Sequence, residues 1–151
     1  MDTIGAIECV KYRSVYLAAE TERHYTGEKI YSPDIAADFI RPMYGETIQT
    51  VERIFALYLS TEKKPLAVHL VGLGSINACV CDPRVVAKVA IDTLAKSVIL
   101  FHNHPSGSLE PSGNDIRLSE KLDKALNLFN CELDDHIIIT EKGYKSLRGM
   151  Y

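Results

Sequence analysis

The run Ser97-Val98-Ile99-Leu100-Phe101-His102 constrains this chain more than any other stretch. It is too short for a buried helix and apolar on both alternating faces, the pattern of a strand covered above and below. A strand of that kind needs helices packed on each side of its sheet. The sequence supplies them. Ser32-Pro33-Asp34 is a helix start, with a serine cap, proline at the first helical position and an acid in the first turn. Ile35, Ala36, Phe39 and Ile40 follow at helical spacing, and Pro42 and Gly45 end or bend the helix. Asp82-Pro83 starts a second helix by the same logic, with Val85, Val86, Val89, Ala90 and Leu94 as its apolar stripe. A third runs from about Asn114 to Phe129, with Ile116, Leu118, Leu122, Ala125, Leu126 and Phe129 as its apolar positions.

The remaining strands frame these helices. Residues 52–60 read as a strand with Ile54, Ala56 and Tyr58 on one face and Phe55, Leu57 and Leu59 on the other. Thr61 to Pro65 is a charged turn, and residues 66–71 return as a hairpin partner, broken by Gly72-Leu73-Gly74-Ser75. Residues 76–81 read as a short strand or extended loop, residues 131–140 end in a strand, and Gly143 marks a late turn. The order hairpin, helix, strand, helix, strand predicts an α/β fold: a three-layer mixed β-sheet with helices on both faces. At 151 residues the expectation is a single domain, 1–151, with residues 1–30 as an N-terminal extension. Within that extension, residues 10–18 suggest a strand and residues 22–31 a hairpin or extended arm.

Bulk properties exclude some functions and leave others open. No run of about 18 apolar residues exists, so no membrane span is expected, and the N-terminus lacks the pattern of a signal peptide. A cytoplasmic location is expected. Cys9, Cys79, Cys81 and Cys131 show no disulfide spacing and should stay reduced; Cys79 and Cys81 read as small apolar strand residues. The net charge is −3, whereas a duplex-binding domain usually carries a basic face. Arg117, Lys121 and Lys124 fall near one helix face but are balanced by Glu120 and Asp123. Nucleic acid binding is therefore unsupported by charge, though not excluded.

The chemistry lies just past the buried strand, in Phe101-His102-Asn103-His104-Pro105 and the loop that continues to Asp115. Side chains two apart on a strand point the same way, so His102 and His104 project together if strand geometry reaches that far. Such a pair can converge on one zinc at about 2.0–2.1 Å. Asp115 enters with the first turn of the next helix, and two imidazoles with one carboxylate suit zinc with a fourth position free. A plainer reading stands beside this one. H-x-H pairs arise by chance, and Ser112-x-x-Asp115 before an apolar helix is also a capping box. Spacing alone does not separate cap from ligand. Asn103 and Ser106 read as residues that shape the loop. Asp135-His136 is either a pair that orients a ligand or a strand histidine packed in the core, and the core reading is favoured.

The stretch H-N-H-P-S-G-x-x-x-P-S-x-x-D, residues 102–115, resembles the signature of the RadC branch of the JAMM (MPN+) metalloprotease-like proteins. Further likeness runs through Ser32-Pro33, Glu52, Gly74-Ser75, Pro83-Arg84 and Asp135-His136-Ile137-Ile138, covering about residues 30–150. The resemblance implies the JAB/MPN (cytidine deaminase-like) fold and zinc-dependent cleavage of an amide bond by a peptidase or isopeptidase. It implies His102, His104 and Asp115 as ligands to one zinc per chain. It also implies Glu52 as the base that takes a proton from water, and Ser112 as the donor to the developing oxyanion. A peptide or protein is the expected substrate. The alternative is a DNA-repair-associated accessory protein that binds nucleic acid or a protein partner without turnover. The helix-hairpin-helix region of longer RadC proteins is not expected here. A zinc deaminase would need H-x-E and C-x-x-C, and neither is present.

Overall fold

The computed structural model describes residues 28–74 and 81–151. The expectations for residues 10–18, for most of 22–31 and for 76–80, together with Cys9 and Cys79, lie outside the described residues. Helix α1 spans Pro33–Tyr44 and is followed by a short 3-10 turn, Gly45–Gln49. Strands β1 (Arg53–Leu59) and β2 (Pro65–Leu73) form the hairpin. Helix α2 (Pro83–Asp92), strand β3 (Ser97–Asn103), helix α3 (Gly113–Asn127) and strands β4 (Glu132–Ile139) and β5 (Tyr144–Ser146) complete the described chain. The sheet order is β2-β1-β3-β4-β5. β3 and β4 run parallel, joined through α3; the other neighbours are antiparallel.

Alternation in β1 and β3 sorts the core into two halves. Phe55, Leu57, Leu59, Ile99, Phe101, Ile137 and Ile139 face α1. Ile54, Ala56, Tyr58, Val98, Leu100 and Leu133 face α2 and α3. The predicted three-layer mixed α/β architecture is what forms. The expected caps form too: the Ser32 side chain accepts from Ile35 N–H, and that of Asp82 from Arg84 N–H. Pro42 sits inside α1, and Gly45, at φ 53°, is where that helix stops.

Several boundaries differ from expectation. Leu94 does not belong to the apolar stripe of α2: the helix stops at Asp92, and Leu94 turns left-handed at φ 52° and is exposed. The hairpin strand continues through Gly72 and Leu73, because a shift in register between Ile54 and Phe55 lets both keep partners on β1. Phe129 does not continue the apolar stripe of α3. The helix stops at Asn127, and Asn130 turns left-handed at φ 55°, leaving Leu128 and Phe129 exposed. Past Gly143 the chain adds the edge strand β5, which no pattern in the sequence marks. Cys131 is buried as a free thiol; Cys81 is half-buried and lies outside any strand, just ahead of α2, so the strand reading does not hold for it. No helix among the described residues is long and apolar enough to cross a membrane.

Candidate metal centre

The site forms where β3 leaves the sheet above the first turn of α3. β3 ends at Asn103, but His104 N–H still donates to Ile139 C=O at 3.1 Å, so the backbone stays extended one residue further. That keeps His102 and His104 on one side, the side covered by α3. Ser119, Leu122 and Leu126 form the buried face of α3. Asp115 stands one turn ahead of Ser119 along the same face.

His102 Nε2 lies 2.7 Å from His104 Nε2 and 3.4 Å from Asp115 Oδ1. His104 Nε2 lies 3.7 Å from Asp115 Oδ2. One ligand atom from each of the three residues falls within 4.8 Å of the others. Tetrahedral zinc with bonds of about 2.0–2.1 Å holds its ligand atoms about 3.3 Å apart; the 3.4 and 3.7 Å separations lie near that span, and the 2.7 Å one between the imidazoles would have to open to admit the ion. The proton pattern fits as well. His104 Nδ1 faces the Ser108 carbonyl at 2.8 Å. A carbonyl only accepts, so the Nδ1 proton points there and the Nε2 lone pair faces the centre. Lone pairs beside a carboxylate form a donor set for a cation.

Electrostatics favour the ligating forms. Burial pushes His102 down to about 4 and His136 well below the ordinary histidine value, so both stay neutral near pH 7. The Asp115 carboxylate raises His104, with burial opposing. Burial acts to raise Asp115 itself, but His104, His102 and Ser112 together outweigh it and hold the carboxyl well below its usual range. For the metal-free protein this sets a pH response. The two depressed histidines bind protons more readily when unfolded, so their stabilising contribution is complete above about pH 6.5 and is lost as pH falls toward 4. Urea unfolding of metal-free protein should give a lower midpoint at pH 5 than at pH 7. Equal midpoints would mean that the two depressed rings do not outweigh the raised His104, whose contribution runs the other way.

The capping box on α3 forms, and it leaves the ligand role open to the same carboxylate. Ser112 N–H donates to Asp115 Oδ2 at 2.6 Å, and Asp115 N–H donates to Ser112 Oγ at 3.2 Å. The carboxylate thus caps α3 with Oδ2 while Oδ1 faces His102. Ser112 is exposed, and its oxygen accepts in this bond, so its own proton remains free to be donated. Ser112→Ala should cost about 0.5–2 kcal/mol of stability through the lost cap. A thermal melt unchanged within error would show that the cap contributes nothing.

Glu52 directly precedes β1, where Ile54 pairs with His102. Burial raises its carboxyl; His104 acts to lower it and Asp115 to raise it, so both lie near enough for their charges to be felt. Its backbone is held by Asn103, a residue whose sequence context suggested only a loop-shaping part. Asn103 is fully buried, its Oδ1 accepts Arg53 N–H at 2.7 Å, and its Nδ2 donates to the carbonyls of Ile48 and Val51 at 2.7 and 2.9 Å. Bonds to residues 51 and 53 fix the chain on both sides of Glu52. Ser106 behaves as expected, with its Oγ accepting Ser108 N–H within the loop.

Sequence reasoning offered a ligand-orienting part for His136 as the less favoured reading and gave Ser119 no part at all. His136 is buried as anticipated, yet it does more than fill the core. Its Nε2 lies 2.7 Å from His102 Nδ1, and its Nδ1 lies 2.6 Å from Ser119 Oγ. Ser119 carried a faint signal, a polar residue on the stripe that also holds Leu122 and Leu126.

Comparison with known proteins points one way. A family model described as a RadC-like JAB domain matches residues 30–150. A UPF0758 protein of Finegoldia magna is 44% identical over 155 residues, covering 98% of this chain and 69% of its own length. A UPF0758 protein of Methanosarcina mazei is 36% identical over 148 residues, covering 96% of this chain and 64% of its own. The chain spans about two thirds of the length of these relatives. The matched span contains the sheet and helices described above and all the residues of the site. By that match this chain belongs to the RadC-like JAB domain family.

Proposed function

We propose that this domain is a zinc-dependent hydrolase that cleaves an amide bond, as a peptidase or isopeptidase, with one zinc per chain. The observation that carries the proposal is the convergence of His102 Nε2, His104 Nε2 and the Asp115 carboxylate, with the raised carboxyl of Glu52 beside them. Neutral nitrogen donors with one carboxylate match catalytic zinc sites, which keep a further position open. When bound, zinc supplies Lewis-acid polarisation of the scissile carbonyl and lowers the pKa of water to about 7.

The chain's own groups do the rest. His102, His104 and Asp115 hold the ion. Glu52 takes the proton from the attacking water and delivers it to the leaving amine. Ser112 donates its hydroxyl proton to the oxygen that gains charge as the carbonyl carbon turns tetrahedral. Asn103 keeps Glu52 at the mouth of the site through its bonds to either side. A peptide or protein is the substrate class, since the chemistry addresses an amide.

Metal analysis of protein purified without chelator should give about one zinc per chain. Protein that takes up no zinc from a solution of the metal would overturn the proposal. Peptide and isopeptide libraries then identify the bond that is cut. Cleavage should stop on chelation and return when zinc is restored.

A further inference from the structure

We propose that His136 and Ser119 are positioning residues that hold His102 in the tautomer whose Nε2 can bind a metal ion. The inference rests on the metal-site reading above and deepens it. Four groups form one chain of hydrogen bonds. His102 Nδ1 meets His136 Nε2 at 2.7 Å, His136 Nδ1 meets Ser119 Oγ at 2.6 Å, and Ser119 Oγ donates to the Asp115 carbonyl at 2.9 Å. The chain therefore starts on one proposed ligand and ends on the backbone of another.

A neutral imidazole has one N–H and one lone pair, and a hydroxyl has one hydrogen. These limits couple the direction of every bond in the chain. In one order Ser119 O–H donates to the Asp115 carbonyl. His136 Nδ1–H then donates to Ser119 Oγ, and His102 Nδ1–H donates to His136 Nε2. His102 Nε2 is left as a bare lone pair facing His104 Nε2 and the Asp115 carboxylate. In the opposite order Ser119 O–H turns to His136 Nδ1, His136 Nε2–H donates to His102 Nδ1, and a proton sits on His102 Nε2, where the ion would bind. Each ring keeps one proton in both orders; only its place changes.

The far end of the chain favours the first order, and a bound cation would take the place of the proton that the 2.7 Å contact between His102 Nε2 and His104 Nε2 otherwise requires. The Asp115 carbonyl is a peptide oxygen and can only accept, so it draws the Ser119 proton away from His136. His102, His136 and Ser119 are all buried, so bulk solvent does not readily stand in for a lost partner. Asp135 steadies the same stretch of β4: its Oδ1 accepts His136 N–H at 2.8 Å, and its Oδ2 accepts the Ser146 hydroxyl at 2.6 Å. A histidine that only filled space would need none of this directionality. Partners of this kind on metal-bound histidines typically change affinity by about 10–100-fold when removed.

The test pairs zinc affinity with a direct view of the ring protons. Nitrogen-15 spectra of zinc-loaded wild-type protein should show His136 with its proton on Nδ1. Zinc affinity, measured against a competing chromophoric chelator, should fall about 10–100-fold in His136→Leu. Ser119→Ala should weaken zinc several-fold, and the His136 tautomer should become mixed. His136→Gln places an amide oxygen near the position of Nε2, where it accepts from His102 Nδ1–H, and should restore most of the affinity lost in His136→Leu. Should His136→Leu fail to fold by circular dichroism, Ser119→Ala, which removes a single oxygen, carries the test alone. The inference is overturned by a proton on His136 Nε2 in the loaded protein. Wild-type zinc affinity in every folded variant overturns it equally. Wild-type protein that binds no zinc removes the metal-site reading and this inference together, whereas equal binding by wild type and variants removes this inference only.

Discussion

His104→Ala should fold and lose its zinc. His104 is the ligand that can be cut back with least damage, because it lies just past the end of β3 and its Nδ1 bonds only to the Ser108 carbonyl in the loop. His102 is a poorer choice, since truncation there would open a hole in the core and strand the buried His136. Without His104, the ion would keep one imidazole and one carboxylate, and the Asp115 charge would lose a neighbour that helps hold it ionised. Loss of a direct ligand should exceed the roughly 10–100-fold typical of an outer partner. Zinc measured per chain after dialysis should fall from about one to near zero, because a site with two protein ligands falls below the usual minimum of three. The far-ultraviolet spectrum should remain that of the wild type. A folded His104→Ala protein that keeps its full zinc would mean the ion sits elsewhere, and the proposed site would be abandoned.

The parts of the fold that were legible share a cause. β1 and β3 announce themselves because both of their faces are apolar, which follows from their place in the middle of the sheet. Ser32-Pro33 and Asp82-Pro83 are readable because a helix start is settled within four residues. β5 was not readable: it has three residues and owes its existence to pairing with Ile137–Ile139 at the sheet edge. The extension of β2 through Gly72 likewise depends on a bulge against β1, which no periodicity encodes. The same division runs through the site. His102, His104 and Asp115 lie within fourteen residues of one another, so a local motif carries them. His136 reaches His102 only because β3 and β4 run parallel with Leu100 opposite His136, a register that neither strand shows by itself. Glu52 is similar. Its approach to the site follows from the antiparallel pairing of Ile54 with His102 and from the Asn103 clamp, both distant in sequence. Local chemistry could be read along the chain; of the partners brought across the sheet, Glu52 was reached only through the family resemblance and His136 only as the less favoured reading.

Replacing Glu52 by glutamine should separate binding from turnover. Glutamine has nearly the same shape, keeps the backbone bonds that Asn103 makes to residues 51 and 53, and cannot accept a proton from water. Zinc content and folding should match the wild type, because Glu52 is not among the three converging ligands. On any peptide or isopeptide that the wild type cleaves, kcat should drop by about 10²–10⁴-fold with KM little changed, the effect expected for loss of a general base. The pH dependence sharpens the point. A base works only when deprotonated, so wild-type activity should climb as pH rises through the Glu52 titration, which burial acts to raise and the charge of a bound zinc would act to lower. Glutamine does not titrate, so the residual activity of the variant should lack that limb. A raised carboxyl also suits a group that must both take and give a proton. Burial makes it hold the water proton more firmly than an exposed carboxylate would, and the leaving amine is the stronger base to which that proton then passes. Should Glu52→Gln turn over at the wild-type rate with the same pH profile, the proton would have to travel by another group. The assignment of the base would then move away from β1, while the metal site would still stand on His102, His104 and Asp115.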